Sequence, residues 1–259
     1  MIRSLEATAL PLSLWPELRE GGLFALGGAV VTVEADLDGV ERRLAAGELW
    51  CPSCSSAVLA GWGRARSRQV RGPDGPVQLC PRRSRCTGCG VTHVLLPVSA
   101  LLRRADTAAV IVSALAAKAR CGLGFRRIAA DLGRPGETVR GWLRRFAERA
   151  EAVRSTFTVW LRAVDPDPVM PEPSGGVFAD AVTVIAVVAT VIERRFALPT
   201  VSLAEAAVAV SGGRLLAPGW PGRWVQHEST LPKPSSGRNS VRCRVFSRTA
   251  KEAAGGGRR

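Results

Sequence analysis

The chain has 259 residues, 46% of them hydrophobic, which is enough for one or two domains with a packed core and excludes global disorder. Its formal net charge is +14 at pH 7. A chain this basic is expected to meet a polyanion, most commonly nucleic acid.

The charge is uneven. Residues 51–154 carry 19 basic and 6 acidic side chains, a net +13, and residues 231–259 carry a further net +7. Residues 1–50 and 155–230 are mildly acidic, at −4 and −2. Lysine stands only at 118, 233 and 251, and the rest of the basic residues are arginine. A GC-rich genome accounts for that bias at least as well as phosphate and guanine recognition does.

Residues 22–35 read as a short β segment with a Gly-Gly break, and 37–47 as a helix ending at Gly47. A cysteine region follows over 51–93, where GPDGP at 72–76 marks a turn that strands on either side would make a hairpin. Residues 106–154 read as helical, with Asp106 or Thr107 as the first cap and Gly122 and Gly124 as the first stop. DPDPVMPEPSGG at 165–176 has the composition of a linker. Val177 to Ile192 is almost wholly apolar, but its uncharged part, Ala181 to Ile192, is far shorter than a bilayer span and reads as a buried helix. Ser202 caps a helix over 203–210 that Gly212 and Gly213 end, and about 229–259 reads as a disordered basic tail. The expected divisions are therefore 1–48, 49–98 (zinc ribbon), 105–155 (helix-turn-helix), 165–176 (linker), 177–217 and 229–259.

The seven cysteines are Cys51, Cys54, Cys80, Cys86, Cys89, Cys121 and Cys243. The number is odd and includes two C-x-x-C pairs, which points to metal binding in a reducing cytoplasm and not to a disulfide framework. Met1 to Glu6 lacks the basic start and apolar stretch of a secretory leader. Cys51, Cys54, Cys86 and Cys89 form two knuckles that would present four thiolates to a tetrahedral zinc ion, a closed and hence structural site. The 31 residues between Cys54 and Cys86 are long for a ribbon, and the hairpin at 72–76 absorbs the excess. Cys80 or His93 could replace one of the four. Arg64, Arg66 and Arg68 alternate as on one face of a strand, with Arg71, Arg82, Arg83 and Arg85 nearby, a face for phosphate or simply for solvent.

FRRIAADLGRPGETVRGWLR at 125–144 has the spacing of a helix-turn-helix. The first helix would run from Phe125 to Leu132, Gly133 would turn, and Pro135 would open the second helix, with Val139 and Trp142 packing back on Ile128 and Leu132. The second helix would continue its apolar stripe through Phe146, Ala147, Ala150 and Val153. In this geometry the start of the second helix meets base edges, which makes Glu137, Thr138, Arg140 and Arg144 the base-edge candidates and Arg126, Arg127, Arg134 and Arg145 the phosphate candidates. A plain helical hairpin with an arginine-rich exposed face is the alternative.

Residues about 45–155 resemble bacterial zinc-ribbon/helix-turn-helix proteins of unassigned function, related to the N-terminal DNA-recognition part of insertion-sequence transposases. The stretches that carry the resemblance are LAAGELWCPSC, PRRSRCTGCGVTHVLLP and GFRRIAADLGRPGETVRGWLRRF. It implies binding of terminal-repeat or operator DNA with structural zinc. The chain departs from a full transposase beyond residue 155, where its acids, Asp165, Asp167, Glu172, Asp180, Glu193, Glu205, Glu228 and Glu252, show no converging metal-binding set. No catalytic centre is expected.

The expected fold is mainly α with a small β zinc ribbon on a three-helix helix-turn-helix core. The expected protein is cytoplasmic and nucleoid-associated. It binds double-stranded DNA, with a transposase or a second copy of itself as further partner and no membrane. The competing readings are a transposase or nuclease component with an unseen active site and a zinc-dependent protein-interaction module.

Overall fold

Valines and leucines spaced for strands in the first hundred residues give way to alanine- and valine-rich helices afterwards, and the helices bury one large apolar cluster while the strands bury two smaller ones. The structure, a computed structural model, describes residues 30–165, 167–197 and 200–220. Residues 22–29, Cys243 and the 229–259 tail lie outside the described residues.

Six strands and seven helices are present among the described residues: β1 (Val30–Val33), α1 (Leu37–Ala45), β2 (Leu59–Arg64), β3 (Arg68–Arg71), β4 (Pro76–Leu79), β5 (Arg82–Cys86), β6 (Thr92–Pro97), α2 (Ala108–Cys121), α3 (Phe125–Asp131), α4 (Gly136–Ala147), α5 (Ala150–Val164), α6 (Val177–Arg195) and α7 (Leu203–Ser211). Four strands form a mixed sheet in the order β1-β6-β5-β2, and β3 and β4 form a separate hairpin. β1 runs parallel to β6, with Val30 opposite Val94, while β6–β5 and β5–β2 are antiparallel.

This corrects the expected fold class. The molecule is a sheet-containing α/β fold, not a three-helix core carrying a small ribbon. The sheet is extended by β1, which comes from the segment expected to lie outside the ribbon. The helical side is larger than three helices because α2 is buried over much of its surface: Val110, Ile111 and Val112 are consecutive and all buried, while a strip through Ala109 and Ser113 is open to solvent. A helix with one narrow apolar stripe needs one neighbour, whereas a helix with a broad buried surface needs several. α3 and α4 cover one part of α2, and α6 and α7 cover another. The buried Val184, Ile185, Val188 and Ile192 of α6 join Phe146, Phe157 and Trp160 in one core. Among the described residues no helix is long and apolar enough to cross a membrane.

Several local expectations are also corrected. The second helix of the pair stops at Ala147, and α5 starts afresh at Ala150. Arg149 breaks the helical run with φ −132°, and its guanidinium donates to the carbonyl of Ala217. Arg64 ends β2 and Arg68 starts β3, so Arg64, Arg66 and Arg68 share no strand. The stretch 165–176 joins α5 to α6, which pack against each other. It is held in place where Ser174 donates both its backbone N–H and its hydroxyl to Asp180, each at 2.7 Å.

Local chemistry explains the elements that match expectation. The Asp36 carboxylate accepts from the backbone of Asp38 and Gly39 and starts α1. Ser202 and Glu205 form a reciprocal capping box at the start of α7. Beneath α1, Arg43 donates to Glu34 at 2.7 Å with both side chains buried, so β1 and α1 are tied by an ion pair out of water.

Candidate functional site

The sheet builds a sulfur cluster. The first knuckle, Cys51 to Cys54, precedes β2, and the second, Cys86 to Cys89, follows β5. The antiparallel pairing of β2 with β5 sets Leu59 opposite Cys86 and so brings the two turns together. Each turn is closed by a backbone bond, Ser55 N–H to Cys51 carbonyl at 2.9 Å and Gly90 N–H to Cys86 carbonyl at 3.2 Å. A side chain at Gly88 would press its Cβ to 2.7 Å from the Cβ of Ala57, so the close approach of the knuckles requires glycine there.

All four sulfurs lie within 4.8 Å of one another, a candidate metal site. Cys51 and Cys89 are 3.7 Å apart and Cys54 and Cys86 3.6 Å. Four thiolates at the zinc–sulfur bond length of about 2.3 Å in a tetrahedron stand about 3.8 Å from each other, so the spacing fits such an ion. Backbone amides already point at the sulfurs: Ser53 donates to Cys51 at 3.4 Å, and Gly88 and Cys89 donate to Cys86 at 3.4 Å each. The Ser56 hydroxyl and amide pull the Cys54 thiol down to about 5. At Cys86 burial opposes ionisation, but the amides of Cys89 and Gly88 outweigh it and the pKa falls. The Val91 amide favours ionised Cys89, yet burial and the three neighbouring thiols together push it up to about 11. The cluster therefore ionises in part alone, and a cation would let all four sulfurs ionise together.

Neither alternative ligand belongs to the cluster. Cys80 donates to the carbonyl of Ala65 at 3.7 Å. His93 is fully buried and its Nε2 lies 3.4 Å from the Cys51 sulfur, the place of a group that orients a ligand.

The second candidate element is the α3–α4 pair. Gly133 sits between the helices with φ +59°, a backbone that a Cβ would strain. Ile128, Ala129, Val139, Trp142 and Phe146 are buried at the crossing, as the spacing predicts. Arg126, Arg127, Glu137, Arg140 and Arg144 are exposed, and Thr138 and Arg145 are half-buried. Arg140 pairs with Glu137 and Arg144 with Glu148, each at 3.6 Å. These pairs are open to water, so each exchanges readily for another partner. The guanidinium groups of Arg126 and Arg140 lie 5.7 and 5.8 Å from the Phe125 ring.

Arg134 is placed differently from expectation. It turns inward, donating to the Asp106 carboxylate at 2.7 Å and to the Gly72 carbonyl at 2.7 Å. Asp106, only 3% exposed, also takes Arg71 at 2.6 Å. Asp106 is thus no helix cap: Thr107 holds the capping position of α2, and Asp106 clamps the β3–β4 hairpin to the turn between α3 and α4. Sequence reasoning also missed Arg103 and Arg104, which stand beside α4. Their signal was the adjacent arginine pair before α2, but helical periodicity says nothing about what a turn faces.

Comparison with protein-family models, with curated proteins and with solved structures finds no match for this chain.

Proposed function

We propose that this protein binds double-stranded DNA sequence-specifically through the α3–α4 helix pair, with a structural zinc ion on Cys51, Cys54, Cys86 and Cys89. The observation that carries the reading is the two-sidedness of α4. Val139, Trp142 and Phe146 are buried on one side, and Glu137, Arg140 and Arg144 stand in solvent on the other. A helix held by its apolar face, with Glu137 and Arg140 near its start and Arg144 one turn on, all exposed, has the chemistry to enter a major groove. The local net charge of +13 over residues 51–154 supports a polyanionic partner. Zinc suits a set of four thiolates better than oxygen-seeking cations do, and four protein ligands leave no position for substrate. The target class is a regulatory operator or the terminal repeat of a mobile element.

In this reading Arg140 and Arg144 reach base edges, while Arg126, Arg127 and Arg145 reach phosphates. Arg140→Ala is expected to weaken the preferred site by roughly 1–3 kcal/mol and to flatten preference at one base pair. Arg127→Ala is expected to weaken all duplexes alike and to lower the salt slope of binding by about one unit. Binding isotherms of both variants on a preferred and a scrambled duplex check this. The same uniform loss in both variants would refute the assignment of α4 to the groove.

A further inference from the structure

The turn that precedes α2 faces the exposed side of α4 across a cleft of about 570 Å³. Six arginines line it: Arg71 from β3, Arg103 and Arg104 from the turn, and Arg140, Arg144 and Arg145 from α4. Two carboxylates share the cleft, Asp106 and Glu137, and both are already engaged. Asp106 accepts from Arg71 and Arg134, and Glu137 faces Arg140 at 3.6 Å.

Three of these arginines are anchored by bonds: Arg71 to Asp106, and Arg104 and Arg145 to backbone carbonyls. Arg104 donates to the carbonyl of Leu216, and its Nε is buried without a partner among the described residues. Burial, and after it the charges of Arg145 and Arg149, depress the Arg104 pKa. Arg145 donates to the Gly141 carbonyl of its own helix at 3.1 Å. Arg103 is exposed and has a left-handed backbone at φ 57°, an uncommon state for a residue with a long side chain. Like charges gathered beside one another oppose folding, and an anion seated among them reverses the sign of that contribution.

We propose that this cleft seats a backbone phosphate of the DNA strand beside the groove that α4 enters, with Arg103, Arg104 and Arg145 as its donors. The proposal rests on the DNA reading above and adds to it. It assigns phosphate recognition to a turn outside the helix pair, so that α4 and the turn before α2 grip one strand from two sides. Arg140 and Arg144 line the same cleft, which puts the base-reading and phosphate-holding groups on one continuous surface. Arginine suits the role because its planar fork donates two parallel bonds to phosphate oxygens. A small phosphorylated ligand would offer the same chemistry, and the test separates the two sources.

The test uses the full chain with its metal. Binding of a mixed-sequence duplex is followed by fluorescence anisotropy over a salt series for the wild type, Arg103→Gln, Arg103→Lys and Arg145→Gln. Inorganic pyrophosphate is titrated against each protein by calorimetry, and thermal melting checks folding. The expected result is a salt slope lower by about one unit in each Gln variant, with sequence preference kept and the slope restored in Arg103→Lys. An unchanged slope in both folded Gln variants, with duplex binding intact, overturns the cleft proposal and leaves the DNA reading standing. Should the wild type bind no duplex at all, the DNA reading falls and the duplex occupant with it. Pyrophosphate that binds the wild type but not Arg103→Gln, and that is not displaced by duplex, also overturns the proposal, since the cleft then takes a small ligand.

Discussion

Cys86→Ser is expected to strip the protein of its metal and to unfold the cysteine-bearing part of the sheet. Cys86 is 3% exposed and packs with Leu59, Leu95 and Cys51 in the apolar cluster beneath the knuckles. Its sulfur receives the amides of Gly88 and Cys89, so the sulfur is already dressed as a ligand. A serine oxygen is a harder, shorter and far less acidic donor, and three thiolates around a dication leave the tetrahedron open to water. Structural zinc contributes about 10–16 kcal/mol of apparent binding energy in isolated finger peptides, comparable to the whole net stability of a domain, about 5–15 kcal/mol. The effect here is expected to be smaller than full unfolding, because the helical core around α2 does not depend on the knuckles. One zinc per chain in the wild type, none in the variant, and a lower first melting transition are the expected results. Unchanged metal content in the variant contradicts the four-cysteine assignment. Acid is expected to release the metal as well, since protons compete for the thiolates.

Asp106→Ala is expected to cost about 3 kcal/mol of stability, read from urea denaturation midpoints at unchanged slope. The carboxylate is 3% exposed and joins two arginines, of which Arg134 is itself only 13% exposed. Removing one partner of a buried ion pair costs about 3–5 kcal/mol because the other charge is left without compensation. The low end applies, since Arg71 is 46% exposed and regains water. Asp106→Asn keeps one acceptor and is expected to fall between. The loss also loosens the link between the hairpin and the turn at Gly133, so duplex affinity should fall with stability. A cost below about 1 kcal/mol would mean that the clamp contributes no more than a surface pair does.

What the sequence discloses follows the range over which each cause acts. The metal knuckles, the turn at Gly133 and the capping box at Ser202 depend on residues a few positions apart, and their spacing is visible in the chain. The parallel pairing of Val30 with Val94 depends on residues far apart, and a short valine run does not name its partner. The division of the stripe at Glu148 and Arg149 is hidden for a related reason. The apolar periodicity continues through Ala150 and Val153, while the break is anchored by carbonyls at Ala217 and Trp220. Asp106 was legible only as a cap, because its sequence neighbours suit one; tertiary competition from Arg71 and Arg134 reassigns it. Arg134 likewise has the composition of a phosphate contact and the surroundings of a structural clamp.

Whether α4 reads duplex DNA is decided by selecting bound sequences from a random duplex pool with the purified full chain. The wild type is expected to enrich a short motif, with preference lost at one position when Arg140 is replaced by Ala and kept when Arg127 is. Duplex bound without any enriched motif, or the same motif enriched unchanged by Arg140→Ala, would contradict base reading by α4.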